Sequence, residues 1–330
     1  MKIIKKFVLI TFVLSLTFCN SEIEKKDYNL QGVVFGTTYS ITYLNSEKNF
    51  QQSLDSLFFE INKSMSTYIP TSDISKINNG DTSIVVDQFF TEVFEKSKRI
   101  HQETGGFFDP TVGNLVNAYG FGPKKEKSIP SDSIIKKLMK DVGFEKVSLI
   151  HGKIKKDHPT IYLDFNSIAK GYAIDVVARF FDSKKIPNYL IEIGGEITAK
   201  GSKPENKPWI IKIVDPVNSA SKDGFKDVEL KNVSMATSGN YRKFRITDDG
   251  EKYVHTINPK TGLAKESNLL SASVFTKTDC ADADAYATAF MAMGFQKAKK
   301  FIENNNNIQV ILIYLDENNK MQVYDTFLPK

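Results

Sequence analysis

Predicted strands and helices follow one another irregularly along this 330-residue chain, and that order constrains the fold more than any other feature. The regular βαβ rhythm of a doubly wound parallel sheet is missing. The chain therefore reads as α+β, with mixed sheets and helices packed around them. "QGVVFGTTYSITYL" alternates and is rich in β-branched and aromatic residues, which predicts a strand. An amphipathic helix is expected over 47–65, a loop with a short helix over 65–78, and a helix over 88–104 ended by Gly105 and Gly106. Loop and short helix follow around Pro110, then a helix over 131–140. "TIYLDF" predicts a strand ending at Asp164, after which Asn166 is placed to cap a helix from about 167 to 181. "YLIEIGGEITAKG" reads as strand, glycine turn and strand, and "WIIKIVDP", "DVELKNVSMATSG", "LLSASVFT", "IQVILIYL" and "MQVYDTF" supply further strands. Neither a Rossmann nor a P-loop glycine fingerprint occurs.

A composition of 41% hydrophobic and 12% aromatic residues suffices for a large core, as one big domain or two smaller ones. The formal net charge is +5. Lys2, Lys5 and Lys6 stand in the first 18 residues with no acid, and subtracting these three leaves +2. So balanced a chain has no electrostatic case for nucleic acid. The same 18 residues read as a signal peptide: a basic start precedes "FVLITFVLSLTF", which is too short for a membrane-spanning helix of about 20 residues. Leu16, Thr17, Phe18 and Cys19 resemble a bacterial lipobox, with Phe18 where a small residue is preferred. The expectation is a lipid on Cys19, a tether over 19–31, and a membrane-anchored lipoprotein of the bacterial envelope facing the periplasm or the exterior. Ordinary secretion with a free cysteine is the alternative. Cys19 and Cys280 alone cannot build a disulfide framework, and no pair among His101, His151, His158 and His255 has helical metal-ligand spacing. A metal here would be a hard ion held by oxygen.

"DCADADAYATAFMAMG" reads as a helix of mostly small and apolar residues. Asp279 stands at its N-cap and Asp282 in its first turn, where unpaired N–H groups and the helix dipole favour acids. That account does not reach Asp284, which shares one face with Thr288 four residues on. An acid there is hydrogen-bonded, neutralised or bound to a cation. In "LDFNSIAKGYAID", Lys170 lies near a helix N-terminus, against the dipole; it is either solvated or placed for a phosphate. His255 sits between a strand and a tight turn, and serves either structure or proton transfer. The aromatics of "FFDPTVGNLVNAYGFG" suit a core or the wall of a planar ligand site.

Eight stretches, "GTTYSIT", "MSTYIPTSDISKIN", "FDPTVGNLVNAYGFG", "YLDFNSIAKGYAID", "YLIEIGGEI", "ATSGNYRKF", "HTINPKTG" and "ADAYATAFMAMG", together resemble the ApbE family of FAD:protein FMN transferases, in order from about Gly32 to the C-terminus. The resemblance implies an ApbE-like (T-fold-like) domain over 32–330. It implies a divalent cation, usually Mg²⁺, on Asp284, Thr288 and the carbonyl of Ser167. Some members carry a second acid just before the threonine; Ala287 stands there in this chain. The family's FAD contacts map onto Phe35, Phe107, Phe108, Asp109, Asp164, Lys170 and Ile257. The implied reaction is attack by an acceptor-protein threonine on the FMN-side phosphorus of FAD, with AMP leaving. His255 is the candidate base and Asp284 the alternative. Two rivals use the same residues: a Mg²⁺-dependent FAD pyrophosphatase, and a lipoprotein that captures flavin without chemistry.

Overall fold

The computed structural model describes residues 24–123, 129–216, 218, 224–240, 244–246 and 250–327. The expected signal peptide and Cys19 lie outside them. In chain order the first elements are β1 (Lys26–Val34), β2 (Thr37–Ser46), α1 (Gln51–Met65), α2 (Asp73–Asn78), α3 (Gln88–Glu103), α4 (Gly113–Ala118) and α5 (Asp132–Leu138). The short hairpin β3 (Val147–Ile150) and β4 (Lys153–Lys156) precedes α6 (Ala169–Ser183), β5 (Tyr189–Ile193), β6 (Glu196–Lys200), β7 (Trp209–Ile213), β8 (Lys226–Leu230) and β9 (Val233–Gly239). The chain then forms β10 (Phe244–Ile246), β11 (Lys252–Val254), β12 (Leu269–Thr276), α7 (Cys280–Met293), α8 (Phe295–Glu303), β13 (Ile308–Leu315) and β14 (Met321–Asp325).

The chain is α+β, as its sequence predicts. Eight strands make one sheet in the order β1-β2-β5-β6-β9-β12-β13-β14, every neighbouring pair antiparallel. Period-2 patterning explains the outer strands: in β2, Tyr39, Ile41 and Tyr43 turn inward while Thr38, Ser40 and Thr42 stay at least partly exposed. The central strands β9 and β12 are buried on both faces, because helices cover one side and the β7–β8 hairpin the other.

α7 is the hub. All its residues except Thr288 and Met293 are buried, and it packs against β9, β12, α3, α6 and α8. A helix apolar all round belongs in an interior, and its alanines let these neighbours approach closely. A Cβ on Gly171 of α6 would run into the Cys280 carbonyl. The two helices therefore touch backbone to backbone.

Four local expectations change. The single strand expected over 31–44 is a hairpin: Phe35 and Gly36 both have positive φ, 52° and 73°, the geometry of a two-residue turn whose twist matches antiparallel strands. Residues from Lys26 on, expected within the tether, already pair with β2 as β1. "TIYLDF" is extended but joins no ladder beyond a single parallel bridge from Val112 to Tyr162. The backbone groups of Leu163 are satisfied instead by Asn78, whose Nδ2 donates to the Leu163 carbonyl and whose Oδ1 accepts the Leu163 N–H, both at 2.8 Å. Asn166 does not cap α6, which starts at Ala169 with no side-chain cap. The Asn166 N–H donates to Asp164 Oδ1 at 2.8 Å, closing a local turn.

Candidate functional site

α6 and α7 converge where the sequence places its cation and phosphate residues. Asp284 is 2% exposed. Its Oδ2 accepts the Gly171 N–H at 3.1 Å and lies 3.7 Å from Lys170 Nζ. In an uninterrupted helix the Gly171 N–H would bond back to the Ser167 carbonyl. It goes to the carboxylate instead, which leaves the Ser167 carbonyl suited to a ligand role. Thr288, one turn beyond Asp284, faces Ser238 of β9 at 3.4 Å between hydroxyls. Asp284 and Thr288 thus reach toward different elements from one helix face. A carboxylate, a hydroxyl and a backbone carbonyl are all hard oxygen donors, a set that fits a small hard cation.

Lys170 resolves the dipole conflict noted in the sequence. Its ammonium lies 2.9 Å from Glu196 Oε1 as well as near Asp284. Burial works against the charge, but Asp284 and then Glu196 outweigh it and hold the lysine above its ordinary range. Glu196, 3% exposed, opens β6 directly after the Gly194–Gly195 turn. It was not singled out in the sequence. The available signal was an acid at a strand position following a glycine turn.

The start of α7 carries its own charge cluster. Asp279 caps the helix as expected, accepting the Asp282 N–H at 3.1 Å, and pairs with Lys96 of α3. Asp282 pairs with Arg99 at 2.5 Å and with Lys96 at 3.7 Å. Burial, then Asp279, still pushes its carboxyl up to about 6. Asp175 of α6 accepts the N–H groups of Cys280 and Ala281 at 2.7 and 2.9 Å. Burial, then Asp279, pushes it up to about 8 against those two bonds.

The stretches "YLDFNSIAKGYAID", "FDPTVGNLVNAYGFG" and "MSTYIPTSDISKIN" meet beside this joint. The Asp164 N–H donates to the Pro110 carbonyl at 2.8 Å, and the Asn166 amide reaches Thr67 Oγ1 at 3.3 Å. Asp109 is engaged internally: it accepts from Thr111 N–H and Oγ1 at 2.8 and 2.6 Å and from Phe144 N–H at 3.2 Å. Burial nevertheless raises its carboxyl above the usual range. The Phe108 ring is buried in the main core. Phe107 is partly exposed, with Lys297 and Lys260 4.9 and 6.0 Å from its ring centroid. Among these aromatics, Phe107 suits a ligand wall and Phe108 supports the loop from below.

The remaining candidates are spread further. Phe35 sits on the β1–β2 turn, edge-on to Phe58 of α1 at 5.7 Å. Ile257 is buried in an apolar cluster apart from the main core, with Leu115, Tyr119 and Tyr253, so its side chain braces the turn that follows β11. His255 is half-buried at the head of that turn. The turn is tied to the C-terminal end of α7 by Asn258 Nδ2, which donates to the Ala292 carbonyl at 3.3 Å. α7 thus carries the oxygen donors near its middle and anchors the histidine-bearing turn at its end.

A family model described as the ApbE family matches residues 35–312. The chain is 34% identical over 330 residues to the FAD:protein FMN transferase of Haemophilus influenzae, covering 96% of this chain and 94% of that protein. Against the FAD:protein FMN transferase of Vibrio cholerae the identity is 33% over 331 residues, 98% of this chain and 97% of that one. The solved flavin transferase ApbE from Vibrio cholerae superposes with a TM-score of 0.81 at 33% identity, over 91% of this chain and 97% of that structure.

Proposed function

This chain belongs to the ApbE family, and on that footing we propose that it is an FAD:protein FMN transferase that moves FMN from FAD onto a threonine hydroxyl of an acceptor protein. The observation that carries the reading is the α6–α7 joint: a buried acid held by the Gly171 N–H, with Thr288 one turn beyond it and Lys170 alongside. Asp284, Thr288 and the Ser167 carbonyl would hold Mg²⁺, which when bound offsets charge on a pyrophosphate and polarises a phosphoryl oxygen. Lys170 brings a fixed positive charge to the same place. Phosphoryl transfer asks mainly for positioning and charge neutralisation, and these residues supply both. Phe107 offers a ring for a planar group, and the Asp164 N–H holds the Pro110 carbonyl of the same loop.

In the transfer, the acceptor hydroxyl oxygen bonds to the FMN-side phosphorus. The bond from that phosphorus to the bridging oxygen breaks, and AMP leaves with that oxygen. The hydroxyl proton goes to a base, for which His255 is the candidate and Asp284 the alternative. Chromatography of nucleotides after incubation with FAD and Mg²⁺ tests the reading. AMP that appears only with an acceptor supports transfer. Equal FMN and AMP without an acceptor supports hydrolysis, and unchanged bound FAD supports flavin capture.

The N-terminal apolar run ending at Cys19 supports a lipid-anchored protein of the bacterial envelope. The proposed anchor is the lipid on Cys19; among the described residues no helix is long and apolar enough to cross a membrane. Cys19→Ala is expected to move the protein from the membrane fraction to the soluble fraction or to block processing. A mature N-terminus elsewhere, without acyl mass, would contradict the anchor.

A further inference from the structure

Asp175 is a buried acid on α6 that the proposed chemistry does not use. Its two oxygens accept the N–H groups of Cys280 and Ala281. These residues open α7, where backbone N–H groups have no partner within their own helix. Asp279 caps α7 from within its own segment, whereas Asp175 caps it from the neighbouring helix. One turn back along α6 and one turn on along α7, the Gly171 N–H donates to Asp284. The spacing is matched: 171 and 175 on α6 face 284 and 280–281 on α7. Because Gly171 lies against the Cys280 carbonyl, the joint has little slack, and a shift at the start of α7 carries Asp284 and Thr288 with it.

We propose that Asp175 is a positioning residue that sets the register of α7 against α6 and thereby places Asp284 and Thr288 for the divalent cation. The inference rests on the reading that those two residues hold the cation, and the test separates the two claims. Titration calorimetry with Mg²⁺ is run on the wild-type protein, Asp175→Asn and Asp284→Ala. An amide at 175 accepts at one atom only and turns N–H₂ toward a backbone N–H. Asp175→Asn is expected to weaken Mg²⁺ binding roughly 10- to 100-fold, the usual cost of losing a partner that orients a metal ligand. Turnover should recover toward wild type at saturating Mg²⁺. A merely structural role would lower the unfolding temperature and leave Mg²⁺ affinity where it was, and that result overturns the proposal. If Asp284→Ala binds Mg²⁺ as the wild type does, the cation reading itself fails. Hydrogen exchange on the wild-type protein answers without any variant that has to fold. Saturating Mg²⁺ should slow exchange at the Cys280 and Ala281 amides, and unchanged exchange there contradicts the coupling.

Discussion

Asp284→Ala is expected to abolish Mg²⁺-dependent flavin transfer, with turnover falling by well over the roughly 100-fold that an outer partner costs. The variant removes the one carboxylate among the proposed ligands, and a hydroxyl with a carbonyl is a poor site for a doubly charged ion. Two stability effects oppose each other. The Gly171 N–H loses its acceptor, at about 1–3 kcal/mol for a buried group left unpaired. A buried acid on an apolar helix is also relieved. Lys170 keeps Glu196 at 2.9 Å, so no lone buried cation results. The fold should therefore persist, with a modest change in unfolding temperature by calorimetry. If the variant folds and still transfers flavin with full Mg²⁺ dependence, Asp284 merely joins α6 to α7, and the cation is held elsewhere.

His255→Ala is expected to separate chemistry from binding. A general base contributes roughly 10²- to 10⁴-fold to rate and little to ground-state affinity. Turnover should fall by at least the lower figure, while FAD and Mg²⁺ affinities stay near those of the wild type. A histidine base also gives the rate profile an acid limb, centred at about 6.5 for an ordinary imidazole, and the variant should lose it. Collapse of FAD affinity together with rate would make His255 a binding or structural member of its turn. An unchanged rate with the limb intact would hand the proton to Asp284.

Features that depend on local chemistry were readable in the sequence. The helix holding Asp284 and Thr288, its cap at Asp279 and the glycine turn between β5 and β6 all follow from spacing and residue type. Features that depend on distant partners were not. Asp175 meets Cys280 across 105 residues, and Lys170 meets Glu196 only because α6 packs against β6. "TIYLDF" has the residues of a strand, yet a side-chain amide from α2 takes the place of a neighbouring strand. The turn at Phe35–Gly36 was hidden because its first residue is a bulky aromatic with positive φ, which leaves Gly36 as a lone glycine inside an alternating run.

The central claim is transfer to protein, and the most direct measurement is the intact mass of a threonine-bearing acceptor after incubation with this chain, FAD and Mg²⁺. The account predicts an acceptor heavier by one FMN residue, with the modification on threonine, one AMP released per acceptor labelled, and no labelling when a chelator removes the metal. An acceptor of unchanged mass beside free FMN and AMP would contradict it and make the protein a hydrolase.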